Sequence, residues 1–294
     1  MALRASRWSS DILVCAALLH GPDGTCPKEK SVSDDEVMRL NQIGWDRRVD
    51  EQDIWTVPVS PDEIRRARVG DWAVVLTPCR PVPADWFGDL RDRDVLCLAS
   101  GGGQQGPVLA AAGAKVTVFD ASAKQLAQDE LVARRESLHL TLVQGFMHDL
   151  SGFADESFDL IFHPASNCYA PDILTVWLEC FRVLRPGGAL LAGFMNPVVY
   201  IFDDAAEDRG ELTVRFKLPF ADVKDRGADE LAAMQAQRCT LEYSHSLETQ
   251  IGGQLAAGFR LTHLFEDHDR PPGRLLSQYF PTLIATRAVK PATA

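Results

Sequence analysis

No apolar run in the chain approaches the roughly 20 residues that a helix needs to cross a bilayer, and there is no internal repeat or low-complexity tract. Neither a membrane span nor a repeat architecture is therefore expected. Positive charge is also short: 30 Lys and Arg stand against 41 Asp and Glu, a formal net charge of −11. Such a surface repels phosphate backbones, which argues against nucleic acid as a partner. The seven cysteines, at positions 15, 26, 79, 97, 168, 180 and 239, form no C-x-x-C pair and no zinc-like cluster. Several lie in apolar runs where a reduced thiol packs as a small hydrophobe, so a reducing cytoplasm is the expected compartment. A secretory leader is imitated by Arg4 and Arg7 ahead of the run from Ile12 to Leu19. Asp11 interrupts the approach, the run is short, and His20-Gly21-Pro22 follows in place of a small-x-small cleavage site.

Hydrophobic residues make up 46% of the 294 positions and charged residues 24%, the balance of a globular chain with a substantial core. Residues 1–33 carry little pattern and read as a loosely ordered extension. Ser33, with Glu36 three residues on, caps an expected helix whose Val37, Leu40 and Ile43 share a face as far as Trp45. Ser60 and Pro61 open a second, short helix. Together residues 34–90 read as an N-terminal helical segment.

From 91 to about 290 the pattern is regular. Short apolar runs at Asp94–Leu98, Lys115–Asp120, Leu140–Val143, Phe158–His163 and Ala189–Phe194 read as buried parallel strands. Helical stretches separate them: Val108–Ala112 behind Pro107, a helix capped by Ser122, and Ile173–Leu184, where Leu174, Trp177, Leu178, Phe181 and Leu184 recur at helical spacing. Arg185-Pro186-Gly187-Gly188 ends the last of these. Regular alternation implies a doubly wound, mostly parallel α/β sheet. Residues 203–236 are charged and helix-leaning. The strand-like runs Phe259–Phe265 and Thr282–Thr286 suit an antiparallel hairpin at the C-terminal edge of the sheet.

In such a sheet, ligands bind outside the carboxyl ends of the strands. The loop after the first strand, Ala99-Ser100-Gly101-Gly102-Gly103-Gln104-Gln105-Gly106, fits G-x-G-x-x-G through Gly101, Gly103 and Gly106. It lets backbone approach a ligand, and a helix N-terminus lies behind it. Asp120, ending the second strand, is placed to accept both hydroxyls of a ribose. These features leave two readings open, a dinucleotide enzyme and an adenosylmethionine enzyme.

Four stretches carry a resemblance: Val95-Leu96-Cys97-Leu98-Ala99-Ser100-Gly101-Gly102-Gly103, then Phe119-Asp120, then Ser157-Phe158-Asp159-Leu160-Ile161, then Arg182-Val183-Leu184-Arg185-Pro186-Gly187-Gly188. In that order and spacing the chain resembles the class I S-adenosylmethionine-dependent methyltransferases over about residues 90–195. The resemblance implies a Rossmann-like methyltransferase fold, S-adenosylmethionine as cofactor, Gly101 and Gly103 beneath its methionyl part, Asp120 at its ribose, and Ala99, Ser100 and Ala121 among its other contacts. Cys97 stands where the family often has an acidic residue, Ala99 where it often has glycine, and Phe146 where an Asp usually meets the adenine. Either Asp149 substitutes for that Asp, or Phe146 and Met147 pack on the base.

The loop after the fourth strand, from His163 to Tyr169, is where an acceptor is expected to approach. His163 is the candidate base, also bordering the cofactor, while Asn167 and Tyr169 are candidates to orient the acceptor. Cys168 is expected to be inert, and no metal ligands are assigned. Residues 34–90 are expected to form a lid, with Trp45 and Trp55 closing the pocket. The expected activity is methyl transfer to a small-molecule acceptor. A nicotinamide-dependent oxidoreductase and a non-catalytic adenosylmethionine-binding protein are the alternatives.

Overall fold

The computed structural model describes residues 32–271 and 273–292; nearly all of the N-terminal extension lies outside them. Seven strands form one sheet: β1 (Asp94–Leu98), β2 (Lys115–Asp120), β3 (Leu140–Gln144), β4 (Phe158–His163), β5 (Leu184–Met195), β6 (Arg260–Asp267) and β7 (Leu283–Val289). Their order is β3-β2-β1-β4-β5-β7-β6. Strands β1 to β5 pair in parallel, and β7 runs antiparallel to both β5 and β6. The doubly wound sheet with its C-terminal antiparallel hairpin is thus as the sequence suggests, with β7 inserted between β5 and β6.

Period-2 alternation sends neighbouring strand residues into two apolar layers. Val95, Cys97, Val116, Val118 and Phe162 face α2 (Pro61–Ala67), α3 (Gln105–Ala111) and α4 (Ala123–Glu136). Leu96, Leu98, Ile161 and Leu190 face α5 (Ile173–Val183). Trp86, Phe87 and Leu90 share the first layer, so the chain between α2 and β1 packs onto the sheet.

Local signals explain most of the boundaries. Ser33 caps α1 (Asp34–Asp50), accepting from Glu36 N, and Ser60 and Glu63 form a complete capping box at α2. Three expectations need correction. Helix α3 begins two residues ahead of Pro107, which sits in the first turn where a missing N–H costs nothing. The Arg185-Pro186-Gly187-Gly188 run belongs to β5 rather than to a break before it, since the backbone turns extended at Leu184. The buried stripe of α5 is Ile173, Val176, Trp177, Cys180 and Val183, leaving Leu174 and Leu178 44% and 57% exposed.

Helix α1 packs away from the sheet, on the segment between β5 and β6. That segment carries the short helices α6 (Asp204–Asp208), α7 (Asp222–Asp225) and α8 (Ala228–Ala236), with α9 (Gly253–Ala256) just before β6. Val37 of α1 joins Ala221, Met234, Leu241 and Tyr243 in a separate apolar cluster. Its buried stripe is Val37, Asn41, Gly44 and Arg48, and Ile43 is exposed.

The segment 75–78 crosses the carboxyl end of the sheet at Gly193 of β5. A Cβ there would lie 2.2 Å from Leu76 O, the same oxygen that accepts Ala165 N at 3.0 Å. Gly193→Ala is expected to push this crossing away and destabilise the protein by about 1–3 kcal/mol, read as a lowered urea midpoint. An unchanged midpoint would mean that the 75–78 segment gives way freely.

Candidate active site

A cavity lies at the carboxyl ends of the strands, between the sheet and α1. The glycine loop forms one wall through Ala99, Ser100 and Gly101. Its path is left-handed at Ala99, Gly101 and Gly103, with φ of 48°, 80° and 71°, and Ala99 N is held by Phe119 O at 2.8 Å. A side chain at Gly101 would meet Trp55 O at 3.1 Å, and one at Gly103 would meet Pro58 Cβ at 2.9 Å and Gln128 O at 3.0 Å. Gly101 therefore borders the cavity, whereas Gly103 is buried between the N-terminal segment and α4 and does not border it. The N-terminal segment is tied to this loop: Gln104 Nε2 donates to Ile54 O and Val57 O at 2.8 and 3.0 Å, and Val59 N donates to Gly103 O.

Asp120, Ala121, Gly145, Phe146 and Met147 continue the wall. Gly145 is obligatory for packing, because a Cβ would sit 2.3 Å from the Phe119 ring. Asp149 is exposed, accepts Ser151 N at 3.0 Å and does not reach the cavity. Of the two candidates for an adenine contact, only Phe146 and Met147 are on the wall. Asp120 Oδ1 accepts Ser122 N at 2.8 Å. Burial, with Asp46 adding repulsion against that one backbone bond, pushes its pKa up to about 7. A carboxylate so short of donors fits a ribose diol, which would supply two.

After β4 the wall includes Ala165, Ser166 and Tyr169. Tyr169 meets Trp45 edge-on at 5.4 Å, and Asn41 Nδ2 donates to Tyr169 O and to Leu241 O. His163 and Asn167 are corrections. Strand alternation turns His163 away from the cavity into the layer beneath α5. There it is 0% exposed, edge-on to Trp177, with Nδ1 at 2.9 Å from Leu98 O. Burial lowers its pKa to about 4, so it is neutral but does not border the cavity as a base or a cofactor contact. Asn167 is spent on a buried amide pair with Gln250 at 2.8 Å. Cys168 is buried, and burial raises its pKa well above the ordinary thiol value. Among the described residues no group of three or more His, Cys, Asp or Glu is arranged to hold a metal.

Sequence reasoning missed Asn41 and Gln42 of α1, Thr77, and Glu242, Asp269 and Arg274 from the C-terminal third, all on the wall. Asn41 was legible as a polar residue on a helical apolar stripe. Glu242, between Leu241 and Tyr243, carries no periodic signal.

Residues 96–192 match the model of a family described as a methyltransferase domain. The uncharacterized methyltransferase YbaJ of Bacillus subtilis (strain 168) is 48% identical over 250 residues, covering 85% of this chain and 97% of that protein. The chain belongs to the class I S-adenosylmethionine-dependent methyltransferases. Solved methyltransferases share the fold. One from Listeria monocytogenes aligns with a TM-score of 0.55 at 16% identity, over 70% of this chain and 93% of its own. One from Mesorhizobium loti aligns at 0.53 and 20% identity, over 68% and 92%. Membership removes the nicotinamide reading, and it makes the protein an enzyme rather than a binding module.

The buried carboxylate has a measurable signature in this methyltransferase. An unfolded Asp titrates near 3.9, so between that pH and about 7 the native protein binds more protons at Asp120 than the unfolded chain does. Its contribution to stability therefore declines as pH rises through this window. Asp120→Asn is expected to flatten the decline and to be more stable than the parent at pH 8, seen by comparing urea midpoints from pH 4.5 to 8. A pH-independent difference between the two proteins would refute the assignment.

Proposed function

We propose that this methyltransferase acts on a small-molecule acceptor held in the same cavity as its cofactor, beneath α1. The observation that carries this reading is the continuity of one wall. It runs from the glycine loop, Asp120 and Phe146 on one side to Tyr169, Glu242 and Leu283 on the other, with Asn41 and Trp45 of α1 above. A molecule reaching both sides has to fit inside, which suits a small, partly apolar body better than a folded chain or a nucleic acid. The acidic composition supports the same choice. When bound, S-adenosylmethionine supplies an electrophilic methyl group on a sulfonium that departs as a neutral thioether without acid assistance.

On this reading Ala99, Ser100 and Gly101 hold the methionyl part, Asp120 and Ala121 the ribose, and Phe146 and Met147 the adenine. Tyr169 positions the acceptor. The N-terminal segment acts as a lid: Trp45, with the Arg48 guanidinium 4.9 Å over its ring, and Trp55 keep water from the transfer, whose main requirement is positioning. Five cysteines among the described residues are free, four of them buried, which supports a reducing compartment such as the cytoplasm. No helix among the described residues is long and apolar enough to cross a membrane.

A melting scan tests the reading. S-adenosylmethionine and its demethylated product are expected to raise the melting temperature, and NAD and NADP to leave it unchanged. Methyl label is expected in the low-molecular-weight fraction of a cell extract; label confined to protein or RNA would overturn the small-molecule assignment. Phe146→Ala is expected to weaken the demethylated product by about 1–3 kcal/mol, the range for an aromatic stacked on a base, while barely moving the unliganded melting temperature. Normal affinity with lost stability would make Phe146 a packing residue.

A further inference from the structure

The sheet order divides the cavity. Asp120 ends β2 and Phe146 follows β3, on one side of β1 and its glycine loop, while Tyr169 follows β4, Met195 ends β5 and Leu283 begins β7 on the other. Glu242 belongs to the second side. Its neighbour Tyr243 donates its N–H to Cys168 O at 2.8 Å, and Asn41 links Leu241 to Tyr169. The backbone of Glu242 is fixed by Asp222, whose Oδ2 accepts Glu242 N at 2.7 Å and whose N–H donates to Glu242 O. The Tyr200 hydroxyl donates to Glu242 Oε2 at 2.7 Å, and Tyr200 is itself stacked on Phe220. Among the described residues the carboxylate makes no other hydrogen bond. A rigidly held carboxylate with acceptor capacity to spare therefore stands on the wall of the half that the cofactor-binding residues leave open.

We propose that Glu242 is the catalytic base, taking the proton of a weakly acidic hydroxyl, a phenol or enol, on a small acceptor. This rests on the small-molecule reading above. The acceptor oxygen forms the new O–CH3 bond as the C–S bond of the methyl donor breaks, its electron pair remaining on sulfur. The O–H bond breaks with its electrons left on oxygen, and its proton passes to the Glu242 carboxylate. An ether, a neutral thioether and a protonated Glu242 result, and the proton goes to solvent when the site reopens.

The surroundings suit the task. Burial, reinforced by Asp222, raises the pKa of Glu242 to about 7 against the lowering influence of Tyr200, Arg48 and Arg274, a value matched to proton transfer at neutral pH. Cys168 and Tyr169, which also face Glu242, are pushed well up by burial and stay protonated. Asp269, the other carboxylate on this side of the wall, accepts the Ser277 hydroxyl at 3.3 Å and is also engaged by Arg274 and Thr282.

The test uses the full chain, methyl-labelled S-adenosylmethionine and simple phenols of graded acidity, with aliphatic amines and thiols alongside. The parent is expected to methylate phenols, with turnover rising along a limb centred near pH 7. Glu242→Gln should lower turnover of neutral phenols by on the order of 10²–10⁴-fold and lose the limb. A phenol already ionised at the assay pH should lose less than about tenfold, because it has no proton left to surrender. The melting shift caused by the demethylated product should be unchanged. Tyr200→Phe removes a bond that favours the charged carboxylate, so the limb should move to higher pH, which decides the matter even if Glu242→Gln fails to fold. Full turnover in Glu242→Gln, an equal loss for neutral and ionised phenols, or an unmoved limb in Tyr200→Phe overturns the proposal. Cofactor-induced stabilisation without methylation of any phenol overturns it alone; absence of that stabilisation removes the functional reading beneath it as well.

Discussion

The amide of Asn41 holds three parts of this molecule together. It is 4% exposed and sits on α1, donating to Tyr169 O in the loop after β4 and to Leu241 O in the segment between β5 and β6, while accepting Leu241 N at 2.6 Å. Few side chains other than an amide can donate and accept at once in a fixed plane. Gly44, one turn on, allows the close approach, since a Cβ there would lie 2.9 Å from Thr240 Cγ2. The apolar cluster around Val37 completes the seam. Without this seam the cavity would have no wall opposite the sheet.

Closing the cavity this way sets its electrostatics. Asp120 and Glu242 stand in different halves and share no hydrogen bond, yet burial raises both to about 7. Each is a polar group removed from water with fewer partners than it can use, a condition that costs stability in the free protein and is relieved only by a ligand with donors to offer. Carboxylates in this state are usual where function, not folding, has chosen the residue.

How much of this was legible in the sequence depended on whether a signal was local. Strands buried on both faces announce themselves as apolar runs, and β1, β2 and β4 fall where those runs fall. Caps such as Ser60 with Glu63 are decided within four residues. The glycine loop and Asp120 could be placed in one pocket because parallel topology brings successive strand ends together. What failed was orientation. His163 ends β4 as expected, but whether a strand's last side chain enters the cavity or the layer below depends on pleat register against Trp177, a contact between distant residues. Helix α5 kept its extent and changed its face for the same reason, since Leu174 and Trp177 are both apolar and only the packing against β4 and β5 selects one. Glu242 lay beyond reach, its neighbours being set by a seam between residues 200 positions apart in the chain.

The two ends of that seam differ in their exposure to water. Toward α4, the carboxyl-terminal half of α1 is held by Asp46, which accepts the buried Ser122 hydroxyl at 2.5 Å, and by an exposed ion pair of Asp50 with Lys124 at 2.6 Å, of which only the second is screened by salt and contributes little net energy. Around Asn41 the contacts are dry and shielded from ions. The carboxyl-terminal half also reaches the segment after α8, through Arg47 on Gln237 O and the buried Arg48 on Thr240 Oγ1, so α1 is clamped on both sides of the cavity. Rising ionic strength therefore weakens the Asp50–Lys124 pair and leaves the contacts around Asn41 in place.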